Sequence, residues 1–313
     1  MNKRIFSLTL SAILIFSLAL TITGCATKKP VEKLRIGVVS DLGAAPFIIA
    51  EQQGYFKDKG LDIEIQVFKS AVDRDTAFQT GNLDGSMADM LTAIFFNEAG
   101  FNVKMTSQTY GNYRMVTAPK LSKEAFLKMD KISVGISSNT VIDFATGKIS
   151  EANAIQNKLN KVAIPQMPVR LEMLKAGELN AATLPEPLAS AAVAGGGAIV
   201  GSTLDYNLFP GIFLMSKATL ENNPEAVKLM YQCYNQAVEY LNKNDSKVYF
   251  DLLIEKLGYP ASIKGNFKMP EFTPALPADK STFEEVSSWM ESSGLIKQKP
   301  KYEDLNDADF LSK

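Results

Sequence analysis

The 313-residue sequence contains no histidine. The side chain that most often serves as general base, as partner of a serine or cysteine nucleophile and as zinc ligand is therefore missing from every position. No phosphate loop, carboxylate dyad or metal-spaced cluster stands out. The sequence offers instead acids and hydrogen-bonding side chains at the ends of predicted elements, which is chemistry for holding a molecule more than for converting it. No cofactor and no metal is expected.

Four such groups can be read directly. Asp41 and Gly43 lie in the loop Ser40–Ala45, between a predicted strand and a helix opened by Pro46. Backbone N–H groups at such a junction favour an anion. Asp41 would repel one, so it suits an amine or hydroxyl, or else it fixes its own turn. Asp89 follows a predicted strand and starts a helix, where it can cap the helix, touch a ligand, or do both. Ser137, Ser138, Asn139 and Thr140 place four hydrogen-bonding side chains at one helix start, where capping needs only one. Glu186 stands between Pro185 and Pro187. The prolines stiffen that loop and could present the carboxylate to a ligand, while the alternative is a first-turn acid that complements the helix dipole.

The elements that position these residues follow from apolar spacing. Strands are predicted over 34–39, 62–68, 83–88, 103–110 and 112–117, and again over 132–136, 162–164, 181–184 and 198–200. Helices are predicted between them, including one running from Thr140 to Leu159. This alternation predicts α/β architecture. The segment Ala77–Gly85 aligns without gaps on Met173–Ala181, each reading as a helix ended by glycine, a turn and a small-residue strand. The recurrence predicts two lobes of similar plan. Beyond Gly211 the chain reads as one strand and then helices, the first opened by Asn223-Pro224, and this tail is expected to pack on the first lobe.

Composition bounds the rest. Lys and Arg total 33 against 34 for Asp and Glu, so nothing suits a phosphate backbone and nucleic acid is not an expected partner. Lys3 and Arg4 precede a largely apolar stretch from Ile5 to Ile22, the layout of a secretory signal. Ile22-Thr23-Gly24-Cys25 resembles the bacterial lipobox. That resemblance implies a signal peptide over 1–24, a diacylglycerol-bearing Cys25, a tether over 25–33 and a location on the extracytoplasmic face of the cell membrane; the alternative is an uncleaved membrane anchor. Cys233 is then the remaining thiol, without a partner for an intramolecular disulfide, and its mid-helix setting predicts a small buried hydrophobe.

Residues Pro46–Glu64, with Gly54-Tyr55-Phe56 followed by Gly60-Leu61, resemble the bacterial solute-binding proteins of the nitrate, taurine and alkanesulfonate type, a family that includes thiamine-pyrimidine precursor binders. Gly81–Gly85 and Leu184-Pro185-Glu186-Pro187 match as well, and the resemblance spans about Leu34 to Leu311. It implies a two-lobed periplasmic binding protein fold of type II, with two crossing strands as hinge and a ligand cleft between the lobes. Lobe 1 would comprise 34–117 and 211–313, and lobe 2 would comprise 118–210. It implies an ABC permease and ATPase as partners of a monomeric binding component. Tyr110 and Asn112 would lie at the lobe junction, where the tyrosine either stacks on a planar ligand or packs. Three carboxylates (Asp41, Asp89 and Glu186) near one cleft favour a neutral or amine-bearing ligand such as a heterocycle over sulfonate or nitrate. A ligand-binding sensor is the alternative outside transport. An enzyme on this fold is disfavoured: the related eukaryotic pyrimidine synthase consumes its own histidine, and a futalosine-type lyase acts in the cytoplasm.

Overall fold

Apolar runs and glycine stops set the element order. In a computed structural model, which describes residues 33–311, the first part builds β1 (Leu34–Val39), α1 (Ala45–Gln52), the single turn α2 (Tyr55–Asp58), β2 (Ile63–Phe68), α3 (Ala71–Gln79), β3 (Gly85–Asp89), α4 (Met90–Glu98) and β4 (Val103–Gln108). The chain then lays down β5 (Tyr113–Thr117), α5 (Lys123–Leu127), β6 (Ile132–Ile136), α6 (Val141–Ala152), β7 (Leu159–Ala163), α7 (Met167–Lys175), β8 (Ala181–Pro185), α8 (Leu188–Ala194) and β9 (Ile199–Ser202). It returns as β10 (Gly211–Ser216), followed by α9 (Lys217–Asn222), α10 (Pro224–Lys243), α11 (Phe250–Leu257), α12 (Lys280–Ser292) and α13 (Tyr302–Leu305). The expected signal segment, Cys25 and all of the tether but Lys33 lie outside the described residues. Among the described residues no helix is long and apolar enough to cross a membrane.

Two five-stranded sheets result, in the orders β2-β1-β3-β10-β4 and β7-β6-β8-β5-β9. In each, the first three strands run parallel and the fourth is antiparallel. The fourth strand always follows a crossing from the other sheet: β5 pairs with β8 and β9, and β10 with β3 and β4. Tyr113–Thr117 therefore belongs to the second sheet, whereas the expected boundary kept it with the first. Strand pattern alone carries no partner information, because an alternating strand fits the fourth place of either sheet. The crossings run side by side, with Thr109 N–H donating to Gly211 O (3.0 Å) and Tyr113 N–H to Thr203 Oγ1 (3.2 Å).

The internal repeat is matched by equivalent contacts in the two lobes. Asp84 accepts from Arg35 N–H (2.8 Å), and Asn180, its counterpart, accepts from Ser133 N–H (2.8 Å). Beside them, a Cβ on Gly37 would lie 2.6 Å from Leu83 Cδ1 and 3.3 Å from Arg74 Cγ. On Gly135 it would lie 2.7 Å from Leu179 Cδ1 and 3.1 Å from Arg170 Cγ. In each lobe a glycine on the first strand leaves room for an arginine stem to lie across the sheet.

The expected helix over 140–159 is shorter. It stops at Ala152, because Ala154 takes a positive φ of 53°, and β7 begins at Leu159 to pair with β6. Sheet pairing there overrides local helix preference. The tail packs α10 on α1, where Phe47 is fully buried with its ring 5.1 Å from those of Tyr234 and Phe213. Truncating such a ring costs about 3–5 kcal/mol. Cys233 is buried on that helix, and burial pushes its thiol up to about 11. The tail is not confined to the first lobe, however. On α12, Phe283, Val286 and Met290 are buried beside α4, while Trp289 stands edge-on to Phe144 of α6 (5.6 Å).

Filling the glycine notch tests this packing. Gly135→Val is expected to lower stability by about 1–3 kcal/mol, read from urea denaturation, because the added methyls meet both Leu179 and the Arg170 stem.

Candidate functional site

In open α/β sheets, ligands bind beyond the carboxyl ends of the strands. Four such ends meet here. Val39 ending β1 and Asp41 after it, Asp89 ending β3, Ser137 after β6 and Pro185 ending β8 all line one small cavity of about 40 Å³, together with Arg74, Thr109, Tyr113, Thr140 and Arg170. By the roughly 10–15 Å³ that a single water needs, it admits a few water-sized groups. Hydrogen bonds between the lobes hold it shut: Leu42 N–H to Glu186 O (3.0 Å), Met167 N–H to Lys69 O (3.1 Å) and Gln166 Nε2 to Asp73 Oδ2 (2.8 Å).

On the first lobe, Asp41 caps the turn Leu42–Ala44, its Oδ1 accepting from Gly43 N–H (2.8 Å). The turn-fixing role expected of Asp41 is thus seen, and the same residue lines the cavity. Gly43 is a close-approach residue: a Cβ would lie 2.7 Å from Tyr110 O. Its N–H serves Asp41, so this N–H is not free for an anion. Burial raises the Asp41 carboxyl to about 7, against the pull of the Gly43 hydrogen bond and of Arg74. Asp89 caps α4, accepting from Thr92 N–H (3.0 Å), and also lines the cavity. Burial raises its carboxyl too, with Arg74 opposing.

On the second lobe, Thr140 caps α6 and donates to Ser137 O (2.8 Å). Ser137 Oγ is buried in the cavity lining and has no hydrogen-bond partner. Ser138 and Asn139 do not join them. Both are exposed, and the positive φ of Asn139 (57°) turns its N–H to Asp143 Oδ2 (3.1 Å).

Tyr110, Asn112 and Glu186 line a second, wider cavity of about 400 Å³, with Arg114, Phe267 and Lys268. Asn112 Oδ1 accepts from Ser202 Oγ (2.8 Å), which ties the two crossings together. The Tyr110 ring lies 5.9 Å from that of Phe272. Glu186 is buried, ion-paired to Arg114 (2.6 Å) and bonded to Ser190 N–H (3.1 Å). The three carboxylates therefore do not converge. Two face the small cavity, and the third is neutralised beside it.

The arginines are what the sequence reading missed. Arg74 and Arg170 are 2% and 0% exposed and both line the small cavity. Extending the alignment of Ala77–Gly85 on Met173–Ala181 three residues back pairs them, which was the available signal. The cavity lining holds two acids and two guanidinium groups, and no base is bonded to Ser137 Oγ, so its hydroxyl is not activated.

The raised Asp41 carboxyl has a measurable consequence. Between its unfolded value near 3.8 and about 7, the folded state binds more protons than the unfolded one. Stability is then full at low pH and falls as pH rises through that window. Asp41→Asn should remove part of this slope, up to ~1.4 kcal/mol per pH unit. Chemical denaturation at pH 5 and pH 7 measures it, and an unchanged slope counts against a buried Asp41.

A search of curated protein sequences returns no match. Among solved structures, the ligand-binding component of an ABC-type import system from Staphylococcus aureus, with zinc bound, superposes with a TM-score of 0.73 at 14% identity, over 89% of this chain and 97% of that one. The periplasmic aliphatic sulphonate binding protein SsuA from Escherichia coli gives 0.72 at 15%, over 88% and 92%. The desulfurization enzyme DszB gives 0.65 at 13%, over 89% and 97%. These likenesses establish the periplasmic-binding-protein fold. Residues 27–250, well over half of the sequence, match the NMT1-like family profile, and the chain belongs to that family.

Proposed function

We propose that the protein captures a small organic solute outside the cytoplasm and hands it unchanged to the permease and ATPase of an ABC importer. One observation supports the reading: strand ends of the two lobes meet at a small, largely apolar cavity into whose wall four charged side chains are set, with hydrogen bonds crossing between the lobes beside it. Two side-by-side crossings suit a hinge of that kind. The lobes are taken as the two sheets with their helices, so that the crossings at 109–112 and 203–210 divide them. A lipid on Cys25 would hold the protein at the outer face of the membrane, and it would act as a monomer.

Asp41 and Asp89 line the cavity with Arg170 and with Arg74, which Asp75 already pairs, so the lining supports a solute that brings a cationic or hydrogen-bond-donating group to the acids as well as any anionic group to Arg170. This keeps the preference for a neutral or amine-bearing ligand over a doubly charged anion, but on different residues, because Glu186 is already paired. A thiamine-pyrimidine-like heterocycle, like any solute larger than a few waters, would need more room than the cavity of about 40 Å³ offers. The sulfonate, taurine or nitrate alternative needs Arg170.

Two measurements test the reading. The mature protein, mixed with a small-molecule extract of the source cells, should gain thermal stability that rises with the logarithm of extract concentration, and native mass spectrometry should return the solute with its mass unchanged. A solute recovered as a different compound would make this an enzyme. In cells, Cys25→Ser should move the protein from the membrane fraction to the soluble fraction; unaltered membrane retention would remove the lipid anchor from the account.

A further inference from the structure

The two buried arginines occupy the same place in the repeat but have different surroundings. Arg74 is fully partnered. Its Nε and Nη2 reach Asp75 Oδ1 (2.8 and 2.6 Å), Nη2 also reaches Thr92 Oγ1 (3.2 Å), and Nη1 donates to Met87 O (3.0 Å). In the second lobe, the alignment that pairs Arg74 with Arg170 puts Leu171 at the place of Asp75. Arg170 accordingly keeps one bond, Nη1 to Ile164 O (2.9 Å), while Nε and Nη2 have no partner among the described residues.

A guanidinium buried without a counter-charge is strongly destabilising, so its retention calls for a partner supplied from elsewhere. Nε and Nη2 form the side-on fork that accepts a carboxylate or sulfonate through two parallel bonds. Ser137 Oγ, also buried and unpartnered, lines the same cavity. Burial alone acts on Arg170 and holds the guanidinium down to about 9, with no acid near enough to raise it. The first-lobe wall differs: Asp41 and Asp89 face the cavity there, and the cation they feel is Arg74.

We infer that the solute is a small zwitterion whose oxyanion group sits on the Arg170 fork with Ser137 and whose ammonium group faces Asp41. The inference rests on the reading that the small cavity is the solute site. Each end of such a molecule engages a different lobe, so closure requires both ends. In this arrangement the ligand replaces, for Arg170, the acid that Asp75 provides for Arg74.

The test is a thermal-shift and calorimetric panel on the mature protein. It comprises zwitterions (glycine, β-alanine, taurine, proline), the matching simple anions (acetate, propionate, methanesulfonate) and a simple cation (propylamine). At least one zwitterion should stabilise the protein, and the matched anion and amine should not. Arg170→Met should weaken binding at least about tenfold, yet melt no lower than the parent without ligand, because an unpaired charge is removed. Ser137→Ala, whose hydroxyl bonds nothing in the fold, should weaken binding without changing the melting temperature. A response confined to anions, amines or neither class overturns the inference. So does a zwitterion response that survives Arg170→Met. In each of those cases the capture reading stands or falls separately, on whether the cell extract stabilises the protein and returns an unaltered solute.

Discussion

Each sheet takes its fourth strand from the far side of a crossing, and that exchange is the constraint on which the architecture depends. Neither sheet is complete without chain that has passed the other, so the lobes cannot separate as independent domains. The crossings touch closely. A Cβ on Gly111 would come within 3.4 Å of Gly211 Cα, and one on Gly211 within 3.0 Å of Thr109 Oγ1. The backbone bond from Thr109 N–H to Gly211 O and the Ser202–Asn112 bond fasten them. Beside this joint, α12 is buried near α4 and touches Phe144 through Trp289, so it reaches both lobes.

Electrostatics in the cleft follow from the repeat. Duplicated architecture places an arginine stem over a glycine in each lobe. Divergence at the neighbouring position, Asp75 against Leu171, then leaves one guanidinium satisfied within the fold and the other with a single hydrogen bond. The acids divide in the same manner. Asp41 and Asp89 are consumed partly as caps and still face the cavity, while Glu186 is held by Arg114 in the wider chamber beside it. A cap and a ligand contact are compatible roles, because a carboxylate has more acceptor positions than one N–H can use.

Much of the chain was legible before folding. Alternating strands and helices, the repeat at Ala77–Gly85 and Met173–Ala181, and Asp41, Asp89, Ser137 and Thr140 as cavity residues all came from local signals: apolar period, glycine stops and polar residues after strands. The failures share one cause. Tyr113–Thr117 was assigned to the wrong sheet, the helix at Thr140 was drawn too long, and Ser138 and Asn139 were grouped with neighbours that face the other way. Pairing partners, positive φ angles and outward turns are set by residues distant in sequence.

Sequence alone determined the α/β class, the two-lobed plan and the absence of histidine chemistry, since these depend on residue types and on periodicities a few residues long. Only the tertiary structure decided which carboxylates share a cavity, that Glu186 is paired, and that Arg74 has a counter-charge while Arg170 has none. Those facts are distances between groups far apart along the chain, and in a buried site the partner a charge finds, or lacks, determines what it can bind.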